Sequence, residues 1–271
     1  KEVKMRILAI AMVAAMTTTS ALAEETVAVE ATPMITGAVN LDFAEAASGK
    51  TGGTMGIELD IDAGSLATVD LDLKATDGSA LTLDTWAVGT SVAGVGLTFG
   101  DDNGLLPSTT ANTATDGTLA DPAMTESVVA TVGSLSVAVG LVDWTADITN
   151  VSNLQGAYTV DAGVANLTAS MDYNRASENT VFGGEVSGLD VAGLTAGALA
   201  TYDTDAEAVA YEGTVGMSGL TAYLNGSDTN KLQHIGGEYT LNVNGADLTA
   251  GVDYDTDAET WSPMAGLSFS F

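Results

Sequence analysis

The 271-residue chain has no cysteine, a single histidine, and only 7 lysines and arginines against 36 aspartates and glutamates. Each scarcity removes a class of function. Without cysteine an exported chain has no disulfide framework, so its stability must come from elsewhere. With His234 as the only histidine there is no Ser–His–Asp constellation to defend, and that residue reads as a solvated side chain facing a lumen or its rim. So few basic residues exclude a nucleic-acid partner, because phosphate binding needs clustered Lys and Arg. Carboxylates are so abundant that any one pair is weak support for acid–base catalysis. No enzyme class is indicated. After the N-terminal segment, no apolar run reaches the roughly 20 residues a spanning helix needs.

What is present argues against disorder, since 46% of residues are hydrophobic and the mean hydropathy is +0.24. The N-terminus reads Lys4-Met5-Arg6, an apolar stretch from Ile7 to Met16, and Ala21-Leu22-Ala23 before Glu24. A basic start, a short apolar core and an A-x-A site form a secretory signal, expected over 1–23 with 24–271 as the mature domain. The apolar stretch is too short to serve as a membrane anchor. Its removal leaves Lys50, Lys74, Arg175 and Lys231 as the only basic residues, against 35 acids.

The apolar residues are spread at alternate positions. Ile57, Leu59 and Ile61 interleave with Glu58, Asp60 and Asp62, and Ala67, Val69, Leu71 and Leu73 interleave with Thr68, Asp70, Asp72 and Lys74. Ile235, Gly237, Tyr239, Leu241 and Val243 repeat the pattern near the C-terminus. Successive strand side chains point to opposite faces, so each segment has one apolar and one polar wall. Very short turns, such as Ala93-Gly94, Gly133-Ser134, Ser218-Gly219 and Asn244-Gly245, alternate with longer polar ones, such as Asp143 to Asn153 and Asn225 to Lys231. That order predicts an all-β fold, a transmembrane antiparallel β-barrel with short periplasmic turns opposite longer extracellular loops. The count is about sixteen strands of roughly 9 to 12 residues, or fourteen if the stretch from Thr90 to Phe99 holds no turn. Phe43, Phe99, Trp144, Phe182, Tyr173, Tyr202, Tyr254 and Trp261 then fall near the extracellular rim as an interfacial girdle.

Two segments carry a family resemblance. Leu97-Thr98-Phe99-Gly100-Asp101 followed by Asp102-Asn103-Gly104-Leu105, and the terminal Gly266-Leu267-Ser268-Phe269-Ser270-Phe271, resemble the general porins of Gram-negative bacteria, particularly the alphaproteobacterial type. The resemblance implies a cell outer-membrane location, a homotrimer in outer-membrane lipid, and a loop after strand five, here Asp101 to Met124, that folds inward and narrows the pore. Such porins set an acidic inward loop against wall arginines, and that arginine cluster is missing here. Lys74 is the one clear wall-facing cation. The expected pore lining is Glu58, Asp60, Asp70, Asp72, Lys74, Asp84, Asp101, Asp102, Asp121 and Glu126. An acid-dominated wall attracts cations and repels anions, so the expectation is a passive, cation-selective diffusion channel for small hydrophilic solutes. No cofactor is required. Asp101, Asp102 and Asn103, and the repeated Tyr-Asp-Thr-Asp-Ala-Glu at Tyr202 to Glu207 and Tyr254 to Glu259, have the oxygen ligands that suit Ca²⁺, though without the full spacing of a calcium loop.

Other readings are a plugged structural or adhesive barrel without transport activity, and a secreted, calcium-loaded β-sandwich or solenoid. Gel electrophoresis separates them. A barrel trimer is expected to run as an SDS-resistant band that shifts on boiling, whereas a secreted adhesin stays in the aqueous fraction and shows no such shift.

Overall fold

In the computed structural model the alternating segments pair into one closed antiparallel barrel of sixteen strands. The structure describes residues 34–270 except 46–50, 63–66, 77–79, 102–103, 108–123, 125, 143–149 and 229–230, and the side chains of 42–45, 51–53 and 231 also fall outside it. The expected signal over 1–23, and Asp102, Asn103, Asp121, Trp144 and Phe271, therefore lie outside the described residues.

The strands are β1 (Met34–Glu45), β2 (Thr51–Asp62), β3 (Thr68–Thr76), β4 (Thr82–Val92), β5 (Val95–Gly100), β6 (Ser127–Val132), β7 (Leu135–Leu141) and β8 (Val151–Asp161). They continue as β9 (Asn166–Asn174), β10 (Thr180–Val191), β11 (Leu194–Asp203), β12 (Ala208–Met217), β13 (Leu220–Ser227), β14 (Lys231–Val243), β15 (Ala246–Asp255) and β16 (Thr260–Ser270). Each pairs with its neighbours in sequence, and β1 closes on β16 from Ala38 opposite Ser270 to Ala44 opposite Met264. The stretch from Thr90 to Phe99 does hold a turn. Val92 pairs with Val95 around Ala93 (φ 52°) and Gly94 (φ 81°), so the count is sixteen and not fourteen.

The two-residue turns at one end have a common geometry. Ala93, Ala192, Ser218 and Asn244 all adopt positive φ, each followed by a glycine that does the same. Positive φ at both central residues matches the right-handed twist of the flanking strands, which is why such turns close tight hairpins. At the other end the connections are longer. Three of them share one device. The Oδ1 atoms of Asn174, Asp203 and Asp255 each accept backbone N–H bonds from the residues two and three positions on, at 2.8–3.1 Å. Glu178, Glu207 and Glu259 then take positive φ to return the chain to the wall. The repeated Tyr-Asp-Thr-Asp-Ala-Glu is thus a turn-forming sequence.

The expected strand length of about 9 to 12 residues does not hold throughout. β5 and β6 have 6 residues each, β7 has 7 and β13 has 8. β5 and β6 flank the long connection. There the wall continues through isolated backbone bonds, from Asp101 N–H to Trp86 O at 3.0 Å and from Leu141 N–H to Glu126 O at 2.7 Å.

Register assigns the faces. Outward positions carry Leu83, Val88, Leu135, Val160, Met171, Val186, Leu220 and Leu248, all at least 36% exposed. Each would forgo about 1.5–3 kcal/mol if left in water, so this surface requires an apolar solvent. Phe182 lies opposite Tyr202, and the rings of Tyr254 and Trp261 are 4.6 Å apart, all on the outer face near the long-connection end. Trp86 joins that belt edge-on to Phe99 at 5.2 Å. A second set, Tyr158, Tyr239 and Phe269, is exposed on the outer face toward the short-turn end and was not expected from the sequence.

Close packing at one turn yields a stability prediction. At Gly219 (φ 85°) a Cβ would sit 2.5 Å from Thr240 O, whereas at Gly94 (φ 81°) it would meet nothing within 4 Å. Gly219→Ala is therefore expected to cost about 1–3 kcal/mol and Gly94→Ala about 1 kcal/mol. Urea midpoints of the two variants refolded into lipid vesicles check the order.

Candidate pore lumen

Inward positions of β2, β3 and β4 collect six of the residues expected to line a pore. Asp60 lies opposite Asp70 and Glu58 opposite Asp72, with Lys74 one inward position further along β3. Like charges placed directly opposite on a sheet repel. The side-chain oxygens of Glu58, Asp60 and Asp70 nevertheless lie within 4.8 Å of one another. Thr85 Oγ1 donates to Asp72 Oδ2 at 2.7 Å. A bulge in β4, where Asp72 pairs with Thr85 but Leu73 with Leu83, makes Asp84 the extra residue. Its carboxylate thereby reaches Lys74 Nζ at 3.6 Å, with both side chains about half exposed. An ion pair that open to solvent adds at most about 1 kcal/mol to stability, so its main effect is to mask the one cation of this patch.

The remaining expected residues are placed differently. Glu126 precedes β6 and is out of phase with its inward positions, where Ser127 is fully buried. Asp101 Oδ1 accepts the backbone N–H of Trp86 at 2.5 Å, so this carboxylate fastens the end of β5 to β4. Asp102, Asn103 and Asp121 lie outside the described residues. Arg175 sits in the connection after β9, where its backbone N–H donates to Ser152 O on β8 at 2.9 Å.

The described ends of the 101–126 connection lie against the inward face of β6 to β10. Leu105 N–H donates to Gln155 Oε1 on β8 at 2.6 Å. Pro107 crowds the inward face of Gly183 on β10, where a Cβ would come 2.5 Å from its Cδ. Met124, 1% exposed, packs with Val129 and Ala138 and with Leu105. These contacts explain an unusual wall. Gln155, Ser170 and Val181 on β8 to β10 are inward-facing yet buried.

That wall continues as a polar network the sequence did not reveal. Asn153 Nδ2 donates to both oxygens of Asp172 at 3.1 Å. Further round, Tyr223 Oη donates to Asp253 Oδ1 at 3.1 Å, and His234 Nδ1 contacts Asp253 Oδ2 at 2.8 Å. His234 is therefore not a solvated histidine: it is 9% exposed and held by an aspartate that is 1% exposed. Gly236 makes room for this arrangement, because a Cβ there would overlap the Tyr223 ring. The period-two pattern does place His234, Asp253 and Tyr223 on inward positions, and that was the available signal. Their adjacency depends on the register between β13, β14 and β15.

No protein-family model and no curated protein matches the chain. Solved structures do. A triple mutant of the Rh. blastica porin aligns over 89% of this chain and 100% of its own, with TM-score 0.59 and 14% identity. OmpF of Salmonella typhi in complex with daunomycin aligns over 89% of this chain and 98% of its own, with TM-score 0.59 and 11% identity. The outer membrane channel DcaP of Acinetobacter baumannii aligns over 89% and 97%, with TM-score 0.54 and 12% identity. The chain thus has the fold of bacterial porins, a closed barrel of sixteen antiparallel strands. At such identities the likeness concerns the fold, and the lumen must be judged on this chain's own residues.

The buried network supplies a prediction. Asp253→Ala leaves the Tyr223 hydroxyl and His234 ring without their shared acceptor, at an expected cost of about 1–3 kcal/mol for each orphaned group. Asp253→Asn, which keeps one acceptor oxygen, is expected to cost less. Thermal unfolding of the refolded barrels, followed by loss of heat modifiability, ranks the two.

Proposed function

We propose that the protein is a passive diffusion porin of a Gram-negative outer membrane, preferring cations among small hydrophilic solutes. The observation that carries this reading is the row of Glu58, Asp60, Asp70 and Asp72 on the inner wall, Asp70 exposed and the other three half-buried, with Lys74 masked by Asp84. Carboxylates lining a wide aqueous bore raise the local cation concentration and oppose anions. The field is unlike that of a lumen with opposed acidic and basic walls. Among the described residues Lys74 is the one inward-facing basic side chain, so the charge is predominantly of one sign.

The outer surface supports the membrane location. Apolar side chains alternate outward, and aromatic belts mark both ends, the pattern of a barrel set between two interfaces. Contacts of Leu105, Pro107 and Met124 with the β6–β10 wall support a connection that enters the bore and narrows it. A homotrimer of the alphaproteobacterial porin type is the assembly this reading favours, on the strength of the Leu97–Asp101 and Gly266–Phe271 segments.

The test is the reversal potential of the refolded protein in a planar bilayer under a salt gradient. Stepwise conductance with a cation-selective potential is expected, and selectivity should fade as salt screens the wall. Replacing Asp70 and Asp72 together by Asn is expected to lower the cation-to-anion permeability ratio about twofold. Inserted, heat-modifiable protein without conductance would overturn the pore and favour a plugged structural barrel. An anion-selective potential would overturn the assignment of the acidic row.

A further inference from the structure

At the long-connection end the repeated Tyr-Asp-Thr-Asp-Ala-Glu does more than turn the chain. In each copy the first aspartate, Asp203 or Asp255, closes its own turn, and the tips Asp205 to Glu207 and Asp257 to Glu259 are exposed. The threonine between them, Thr204 or Thr256, is half-buried and bonds back to the preceding hairpin.

Thr204 Oγ1 donates to Asn179 Oδ1 at 2.9 Å and accepts the Thr180 N–H at 3.1 Å. Asn179 reaches across in return. Its Nδ2 donates to Asp203 Oδ1 at 3.0 Å, and its Oδ1 also accepts the Asp205 N–H at 3.2 Å. Four strands further round, Thr256 Oγ1 donates to Leu232 O, and the Thr256 N–H donates to Gln233 O at 2.7 Å. Between these two ties, Asp228 Oδ1 accepts the Val209 N–H at 3.0 Å. All three ties leave from equivalent places. Thr204, Asp228 and Thr256 are each the first residue beyond an odd-numbered strand, β11, β13 and β15, and each reaches the start of the even-numbered strand before it. Beyond the last rung, water competes for the backbone groups, so strand ends open first. A side-chain bond placed there lets one hairpin end open only if its neighbour yields.

We propose that these side chains lace the rim from β9 to β16 into one fixed collar, with Thr204 and Thr256 as positioning residues that hold the outer mouth of the bore at constant width. Independent hairpin ends would let that width fluctuate with every local opening, whereas laced ends move together or not at all. The proposal rests on the pore reading only for its electrical consequence, since the lacing exists whether or not ions pass.

The experiment joins amide hydrogen exchange with single-channel recording on refolded, heat-modifiable protein. Thr204→Val is expected to speed exchange about tenfold at the Asp205 and Ala206 N–H groups, neither of which bonds to the Thr204 hydroxyl. It is also expected to add brief partial closures without moving the reversal potential. Asn179→Ala, which cuts the same lace from the other side, should match it, and Thr204→Ser, which keeps the hydroxyl, should restore both readouts. Thr168→Val removes a hydroxyl pair with Thr159 (2.9 Å) at the short-turn end and is expected to change neither. Unchanged exchange in Thr204→Val overturns the lace, and faster exchange with steady conductance overturns its hold on the mouth. An equal effect of Thr168→Val, or failure of Thr204→Ser to restore, overturns both. A barrel that never conducts sinks the pore reading, while exchange still decides the collar.

Discussion

Closure of the backbone ladder is the interaction on which everything else depends. A hydrocarbon environment offers no partner to an unpaired N–H or C=O, so an open sheet edge cannot stand in it. The pairing of β1 with β16 removes both edges at once. It also forces an even number of antiparallel strands and gathers the short turns at one end. Once the cylinder is closed, side-chain period two divides the chain between an outer face and the lumen without further instruction. The outward Ile, Leu and Val residues are then stable where they stand, and the inward acids face water.

The two halves of the lumen use polar residues in opposite ways. On β2 to β4, like-charged pairs remain exposed enough for solvent to screen them, and their field reaches into the bore. On β8 to β15, Asp172 and Asp253 are buried and spend their oxygens on Asn153, Tyr223 and His234. A buried carboxylate is costly unless such bonds satisfy it. Asp172 therefore stiffens the wall against which Leu105 and Pro107 rest, Asp253 stiffens the wall further round, and both contribute less to an open field than their count suggests. Glycine permits both arrangements, at Gly183 for Pro107 and at Gly236 for Tyr223.

Much of this was legible residue by residue. The interleaving of Ile57, Leu59 and Ile61 with Glu58, Asp60 and Asp62 correctly separates outward from inward side chains, because the two-residue repeat is a local property of extended backbone. Glycine and Asn-Gly steps mark the short turns for the same local reason. The acidic repeat, singled out for its oxygen ligands, also forms turns: Asp203 and Asp255 accept two backbone N–H groups each within their own turns, a use that leaves the same sequence signature. Trp86 escaped the aromatic belt because it lies inside β4, and only its contact with Phe99 across the β4–β5 ladder shows its height.

The sequence by itself determined the class of solvent on each face, the number and order of strands, and the sign of the wall charge. All follow from alternation, turn residues and composition, which need no knowledge of distant contacts. Only the tertiary structure decided which inward residues meet. The bulge that brings Asp84 to Lys74, the register that joins His234 to Asp253, and the alignment of neighbouring hairpins that brings Thr204 to Asn179 depend on how strands slide past one another. A shift of two residues keeps every side chain on its own face and changes all of its neighbours. Periodicity is blind to such a shift. Closure of the cylinder, which must satisfy every strand pair at once, is not.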